Sequence, residues 1–346
     1  MNARSAHESE TESHSAVEPP TSMRAVVARR YGTADVVEVD EVPTPEPASG
    51  QVLLRVEASS LNALDWHFLT GSPYFLRLVA GLRRPKRIIP GADIAGVVVA
   101  VGDEVTTLQP GDAVFTEGPG GGCARYVAVN AAALVPIPDG VSFVAAAATP
   151  VAGLTAIQGL CAHADVQPGE HVLINGAAGG VGTFAVQIAK SLGAEVTAVC
   201  SAHNVEMVRR LGADHVVDYT TRDFVDGGAR FDVMLDNVGN RTPAECLSVM
   251  NPGGRYVAVS GPKKNRWIDP LPHIIRTRLG FWRSDASFHQ FTASMNRDDL
   301  ASLGGLLANG AVVPEIERIV GLDGVADGLT EIGSGHARAK IVVTPA

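Results

Sequence analysis

The sequence predicts an α/β protein of two domains, a β-rich barrel-type unit joined to a doubly wound parallel sheet. Three observations carry this. Residues 23–149 read as short strands broken by glycine and proline. From about Pro150 strands and helices alternate. The last apolar strand, Lys340–Thr344, falls too far along to belong to the second unit and is expected to return to the first. A chain of 346 residues with 46% hydrophobic content is long enough to fill two cores.

Taken in order, residues 1–22 are rich in Ser, Glu, His, Thr and Pro and lack the apolar core of a signal peptide, so they read as a disordered tail. Strands follow at Met23–Ala28, Gln51–Ala58, Ile94–Val101 and Ala113–Phe115, separated by turns such as Pro43-Thr44-Pro45, Gly102-Asp103 and Pro110-Gly111-Asp112. In the second unit strands are expected at Val172–Asn175, Glu195–Cys200, His215–Tyr219, Val233–Asn237 and Arg255–Ser260. Helices are expected near Phe184–Leu192, Val205–Leu211 and Thr242–Met250, with a further helix at Asp298–Asn309 from its leucine spacing. The assigned units are 23–147 with 296–346, and 148–295. Residues 262–290 are basic and aromatic (Lys263, Lys264, Arg266, Trp267, Arg276, Arg278, Trp282, Arg283) and read as an irregular excursion or subunit contact.

The run Val172-Leu173-Ile174-Asn175-Gly176-Ala177-Ala178-Gly179-Gly180-Val181-Gly182 goes from an apolar strand into a glycine-dense turn, and a helix follows from Thr183. Ala177, Gly179 and Gly182 stand at the G-x-G-x-x-G positions. Such a turn lets backbone approach a pyrophosphate, whose charge the N–H groups at the helix start would bind. Strand before and helix after is the context the motif needs. Gly176, Ala178, Gly179, Gly180, Val181 and Gly182 are therefore expected to bind a dinucleotide.

A net charge of −9 points away from nucleic-acid and anionic-membrane partners. No apolar stretch is long enough to span a bilayer. The four cysteines are scattered without a C-x-x-C pair, which fits a reducing cytoplasm.

Several ordered segments are similar to the medium-chain dehydrogenase/reductase superfamily, in its zinc-free quinone oxidoreductase-like branch. They are residues 58–66 (Ala-Ser-Ser-Leu-Asn-Ala-Leu-Asp-Trp), 90–98 (Pro-Gly-Ala-Asp-Ile-Ala-Gly-Val-Val), the glycine-rich loop, and 211–219 (Leu-Gly-Ala-Asp-His-Val-Val-Asp-Tyr). Residues 335–340 resemble the C-terminal signature G-H-x-R-G-K, with Ala339 in place of a glycine. The resemblance runs from Met23 to the C-terminus. It implies a GroES-like domain, built from both ends of the chain, around a Rossmann domain.

Zinc-dependent members resemble this chain near residue 62 but carry a cysteine ligand where Asn62 stands, and a G-H-E motif where Gly91-Ala92-Asp93 stands. An amide and a methyl group do not replace a thiolate and an imidazole. Asp112–Arg125 holds only Cys123, so the structural zinc lobe is missing as well. No metal site is expected.

Without a Lewis acid, hydride transfer from a reduced nicotinamide to an electron-poor acceptor is the expected chemistry, since the cofactor supplies the hard step. Quinones and α,β-unsaturated carbonyls fit. Asn62 is the candidate polar group facing the acceptor, or alternatively only a turn cap. His67 stands where the family carries a proton-relaying His or a Tyr, and its imidazole suits proton delivery near neutrality; an exposed bystander is the alternative. Asp65 is expected to orient this segment, and Tyr74 lies one position off a second substrate-side tyrosine of the family.

The second Rossmann strand ends without an acid, at Cys200-Ser201-Ala202-His203, which favours NADPH over NADH. Ser201 and His203 are candidates for the 2′-phosphate, His203 only when protonated, and Tyr219 for the adenosine end or alternatively for packing alone. By the resemblance Thr155 lies near the nicotinamide, and topology adds Asn237 and Ser260. The expected function is NADPH-dependent reduction of a small-molecule quinone, with an alkenal/enone double-bond reductase or a non-catalytic NADPH-binding protein as alternatives. A homodimer through residues 254–290 is expected by family analogy.

Overall fold

The computed structural model describes residues 19–261, 271–335 and 337–345. Strands are β1 (Ser22–Val27), β2 (Glu38–Pro43), β3 (Gln51–Leu61), β4 (Asp93–Val101), β5 (Ala113–Glu117), β6 (Tyr126–Asn130), β7 (Val135–Pro136), β8 (His171–Asn175), β9 (Glu195–Cys200), β10 (His215–Asp218), β11 (Phe231–Asp236), β12 (Met250–Ala258), β13 (Ser287–Gln290), β14 (Ile316–Val320) and β15 (Lys340–Val343). Helices are α1 (Ala63–Thr70), α2 (Arg77–Ala80), α3 (Phe143–Ala147), α4 (Pro150–Ile157), α5 (Gly180–Ser191), α6 (Val205–Arg210), α7 (Pro243–Ser248), α8 (Leu271–Phe281), α9 (Arg297–Ala308) and α10 (Val325–Ser334). Most of the tail, residues 1–18, lies outside the described residues, while Ser22 already opens β1.

The first unit is a sheet ordered β14-β15-β3-β4-β5-β7, with β6 paired to β3 and the β1–β2 hairpin tied on by a bridge from Ala25 to Ala124. The final strand does return here. β15 runs antiparallel to β3 and parallel to β14, so a strand from the end of the sequence sits between strands made hundreds of residues apart.

The second unit is an all-parallel sheet ordered β10-β9-β8-β11-β12-β13. This is the Rossmann order, whose direction of winding reverses between β8 and β11. Central strand β8 is apolar and buried through its middle because helices cover both of its faces. One apolar cluster runs through both units, joining Phe115, Leu303 and Val342 of the first to Leu154 and Ile174 of the second.

Three expectations need correction. Residues 271–290 are not irregular: they form α8 and the sixth parallel strand, β13, while 262–270 lie outside the described residues. Pro272 and Gly280, with an exposed apolar face, hide the helix from periodicity. Helix α5 starts at Gly180, inside the glycine loop, because Gly179 serves as its N-cap. Finally, β12 begins at Met250 and ends before Ser260.

Candidate active site

A cavity of about 450 Å³ opens at the point where the Rossmann winding reverses. Its wall draws on both units: Asn62, Leu64 and His67 from the start of α1, Glu117 from the end of β5, Thr155 from α4, Gly180 and Val181 from α5, Asn237 and Ser260 from the loops after β11 and β12, and Lys340 from β15. The ends of several strands and the N-termini of α1, α4 and α5 thus converge on it, as expected for a ligand site in an open α/β sheet.

Below the cavity, Asp93 joins four separate segments. Its Oδ2 accepts from Ser60 Oγ (2.6 Å), Asn62 Nδ2 (2.9 Å) and Lys340 Nζ (3.1 Å), and its Oδ1 accepts from the backbone N–H of Val151 (2.8 Å) at the start of α4. Lys340 Nζ also donates to Asn62 Oδ1 at 2.5 Å. Asp93 is fully buried and Lys340 nearly so, at 2% exposure. An ammonium has three donors; two are spent here, at the edge of the cavity.

Asn62 therefore lines the cavity, but its amide N–H groups point to Asp93 and, more weakly, to the Ser60 carbonyl (3.4 Å). Asp65 does not line it. Its two oxygens accept the backbone N–H groups of Asn62 and Gly91, both at 2.8 Å, pinning α1 to the turn before β4. Burial, with repulsion from Asp93, pushes the Asp65 carboxyl up to about 6. His67 faces the cavity, and its Nδ1 must carry the proton, since it donates to the Ser72 carbonyl at 2.7 Å. Tyr74 stacks under Arg77 and does not line the cavity.

Glu117, Asp93 and Lys340 were not singled out from sequence. Glu117 ends a strand with an ordinary pattern, and only the β4–β5 pairing, which sets it opposite Asp93, gives it a role. Burial first, then repulsion from Asp93, pushes its carboxyl up to about 7 against the opposing pull of Arg87. The lysine of the C-terminal signature was visible, but not that it reaches Asn62.

The glycine loop fits a dinucleotide. Gly176 has φ +77°, a left-handed conformation that favours glycine. A Cβ on Gly182 would stand 2.2 Å from the Gly176 carbonyl oxygen, so this glycine lets the helix press against the turn. A Cβ on Gly179 meets nothing closer than 3.6 Å, leaving the approach to the α5 N-terminus open. Asn237 donates through Nδ2 to the Asn175 carbonyl (3.0 Å), while its buried Oδ1 lacks a partner. An unpartnered buried acceptor on a cavity wall calls for a ligand donor. The loop bearing Asn237 is fixed by Asp236, which accepts from the N–H groups of Val238 and Gly239, from Asn175 and from Tyr256 Oη.

At the far end, Ser201 Oγ accepts from Asn204 Nδ2 (3.1 Å), and His203 and Tyr219 are exposed. The tip of β9 is free of acids, although Asp218 of the neighbouring strand pairs in register with Cys200, its carboxyl held low by hydrogen bonds from Thr220. His336 of the C-terminal signature lies outside the described residues.

As a zinc site the donors do not fit. The positions that correspond to zinc ligands hold an amide and a methyl group, and the Lys340 ammonium already stands against Asn62 and Asp93.

Comparison with known proteins agrees with this architecture. Residues 48–139 match the alcohol dehydrogenase GroES-like domain, and residues 211–343 match the family described as zinc-binding dehydrogenase. The chain is 32% identical to the 2-methylene-furan-3-one reductase of Solanum lycopersicum, over 96% of this chain and 82% of that protein. It is 32% identical to the chloroplastic NADPH-dependent alkenal/one oxidoreductase of Arabidopsis thaliana, over 94% and 80%. With the quinone-oxidoreductase QR1 of Triphysaria versicolor it shares 33% identity over 93% and 98%. The solved quinone oxidoreductase from Coxiella burnetii superposes with a TM-score of 0.82 at 28% identity, covering 94% of this chain and all of that one. With both domain types matched, the strand order of a Rossmann sheet and relatives aligned along nearly the whole chain, this protein belongs to the medium-chain dehydrogenase/reductase superfamily, in its quinone oxidoreductase-like branch.

Proposed function

We propose that this chain is an NADPH-dependent, zinc-independent reductase of quinones and related conjugated carbonyls. The observation that carries the reading is the cavity at the strand switch, where Lys340, His67 and Glu117 face the same space as the dinucleotide loop. Relatives named for reduction of quinones and of alkenals or enones support it.

When bound, NADPH supplies the hydride. Residues 176–182 would hold its pyrophosphate, with Ser201, His203 and Tyr219 at the adenosine end and Thr155, Asn237 and Ser260 at the nicotinamide end. The remaining donor of Lys340 stabilises negative charge that develops on the acceptor oxygen. Asn62 is a positioning residue that holds this ammonium through Oδ1, and Asp65 is a positioning residue that fixes the segment carrying Asn62. The Glu117 carboxyl holds a proton up to neutral pH, and His67 is a second source. Asn62 and Ala92 at the zinc-ligand positions, with the Lys340 ammonium against Asn62, leave no donor set for zinc and make the site metal-independent.

Among the described residues no helix is long and apolar enough to cross a membrane. All four cysteines are unpaired, which supports a reducing compartment such as the cytoplasm. The outer edge of β13, the exposed face of α8 (Leu271, Ile275, Leu279) and Trp282 just after it support a homodimer through this side, to be tested by light scattering on the eluting protein.

The deciding experiment follows NADPH oxidation with a quinone and an enone and identifies the products. Hydroquinone or semiquinone supports the leading reading. A saturated ketone with an inert quinone makes the chain an alkenal/enone double-bond reductase. Tight NADPH binding without turnover on a broad panel makes it a non-catalytic binding protein.

A further inference from the structure

Between α1 and β4 the chain makes an excursion whose frame is firmly held and whose apolar tips are bare. Tyr31 Oη donates to the Gly81 carbonyl, and the Lys86 N–H donates to the Ala80 carbonyl at 2.7 Å. Arg77 lies 4.4 and 4.5 Å from the ring centroids of Tyr31 and Tyr74, and its Nε and Nη2 donate to the carbonyls of Gly71 (3.1 Å) and Thr70 (3.2 Å). Arg87 covers the Phe68 ring at 4.2 Å. Gly81 has φ +120°, and a Cβ there would stand 2.2 Å from the Arg84 carbonyl oxygen, so the turn is built for glycine. Ala80, Gly81 and Pro85 are buried. On this frame Leu78, Val79 and Leu82 are 77%, 71% and 68% exposed, and Phe75 is exposed beside them.

The charge around these tips has one sign. Trp66 through Ala92 contains five Arg and Lys residues and no Asp or Glu, in a chain whose net charge is −9. Arg83, Arg84, Lys86 and Arg87 are all exposed. Bare aliphatic side chains interleaved with cations suit the boundary of an anionic bilayer, where the tips enter the acyl region and the cations meet phosphates. The excursion also adjoins the cavity: α1 carries His67 on its wall and runs straight into it, and Arg87 acts on Glu117.

We infer that residues 75–88 dock this protein on an anionic lipid surface, so that its acceptors come from lipophilic carbonyl compounds dissolved in the membrane. The whole-chain charge, which points away from such a partner, conceals this local basic patch. The source of the acceptor rests on the reductase reading above; the docking does not.

The test is co-sedimentation of the full chain with vesicles of phosphatidylcholine alone and of phosphatidylcholine with phosphatidylglycerol. Binding is expected only to the second, with release by salt. Arg83→Gln with Arg84→Gln is expected to weaken partitioning about fivefold per charge at low salt, and Leu78→Ser, Val79→Ser and Leu82→Ser together to abolish it. Both variants are expected to keep the wild-type melting curve and the wild-type kcat/KM with a water-soluble quinone, while the triple variant loses turnover of a quinone embedded in anionic vesicles. Equal binding to the two vesicle types, no binding, or wild-type binding by both variants overturns the docking. Intact vesicle binding without turnover of any quinone instead overturns the reductase reading and leaves the docking standing.

Discussion

Lys340 Nζ meets Asn62 Oδ1 at 2.5 Å across 278 residues of chain, and Lys340 Nζ and Asn62 Nδ2 both donate to the buried Asp93 carboxylate. The geometry makes the pair a unit: the ammonium neutralises Asp93, and Asn62 fixes the direction in which the ammonium's remaining donor points.

Lys340→Met tests that unit. Removing one partner of a buried pair costs about 3–5 kcal/mol, and the low end is expected because Ser60, Asn62 and Val151 still donate to Asp93. Denaturant unfolding measures this, and kcat/KM is expected to fall by about tenfold or more. Adding Asp93→Asn should restore much of the stability without restoring turnover. Full activity in the single variant would remove Lys340 from the chemistry.

Glu117→Gln addresses the proton. With the Glu117 carboxyl raised to about 7, the protonated donor is present below neutrality and is lost above it. Wild-type kcat/KM is therefore expected to fall as pH rises through about 7. The variant should be slower by about a hundredfold or more where proton transfer limits the rate, with that limb of the profile gone. Stability follows the same sign. Glu117 and Asp65 both ionise at lower pH when unfolded, so their contribution is full near pH 4 and lost as pH rises through about 6 to 7. Urea unfolding at several pH values should show a shallower decline in the Gln variant.

Ala339 holds φ +48°, a left-handed conformation costly for a residue with a Cβ, while its N–H donates to the Ala178 carbonyl at 2.8 Å. Ala339→Gly is expected to relieve about 1 kcal/mol and raise the melting temperature by roughly 2 °C, with the hydrogen bond kept. A lower melting temperature would show that the strain is absorbed elsewhere.

The two loop glycines separate packing from ligand approach. Gly182→Ala puts a Cβ against three backbone atoms, at 2.2, 2.6 and 2.7 Å, and must move the loop. Both stability and NADPH affinity are expected to fall, the latter by about tenfold or more. Gly179→Ala has room in the protein alone, so it should lower affinity in a fluorescence titration with an unchanged melt.

His203→Ala is expected to lower the ratio of kcat/KM with NADPH to that with NADH, because it removes a donor to the 2′-phosphate. Asp218 pairs in register with Cys200, next to Ser201, so Asp218→Asn removes a carboxylate near the tip of β9 and is expected to raise the ratio. An unchanged ratio in the His203 variant would take His203 out of the account.

The parallel strands were legible because buried runs such as Val172-Leu173-Ile174 bounded by a glycine turn have few other readings. The site was legible only where its chemistry is local: the glycine loop and the acid-free end of β9 are short segments. What escaped was the chemistry made by pairing. Glu117 matters because β4 sets it opposite Asp93, and Asn62 matters as an acceptor because β15 brings Lys340 beneath it. β13 and α8 escaped for another reason. In α8 Leu271, Ile275 and Leu279 face outward, which breaks the amphipathic pattern that marks a packed element, while β13 spans only four residues, with Phe288 as its one large apolar side chain, packed against Tyr256.

The return of β15 has a consequence for synthesis. The first sheet lacks the strand between β3 and β14 until the ribosome has finished the entire Rossmann segment. The nascent amino-terminal half must therefore wait with open strand edges while the second domain folds, a period in which such edges are prone to pair wrongly. Because the same strand delivers Lys340, a polypeptide cut short before it would lack both its closed sheet and the ammonium at the edge of the cavity.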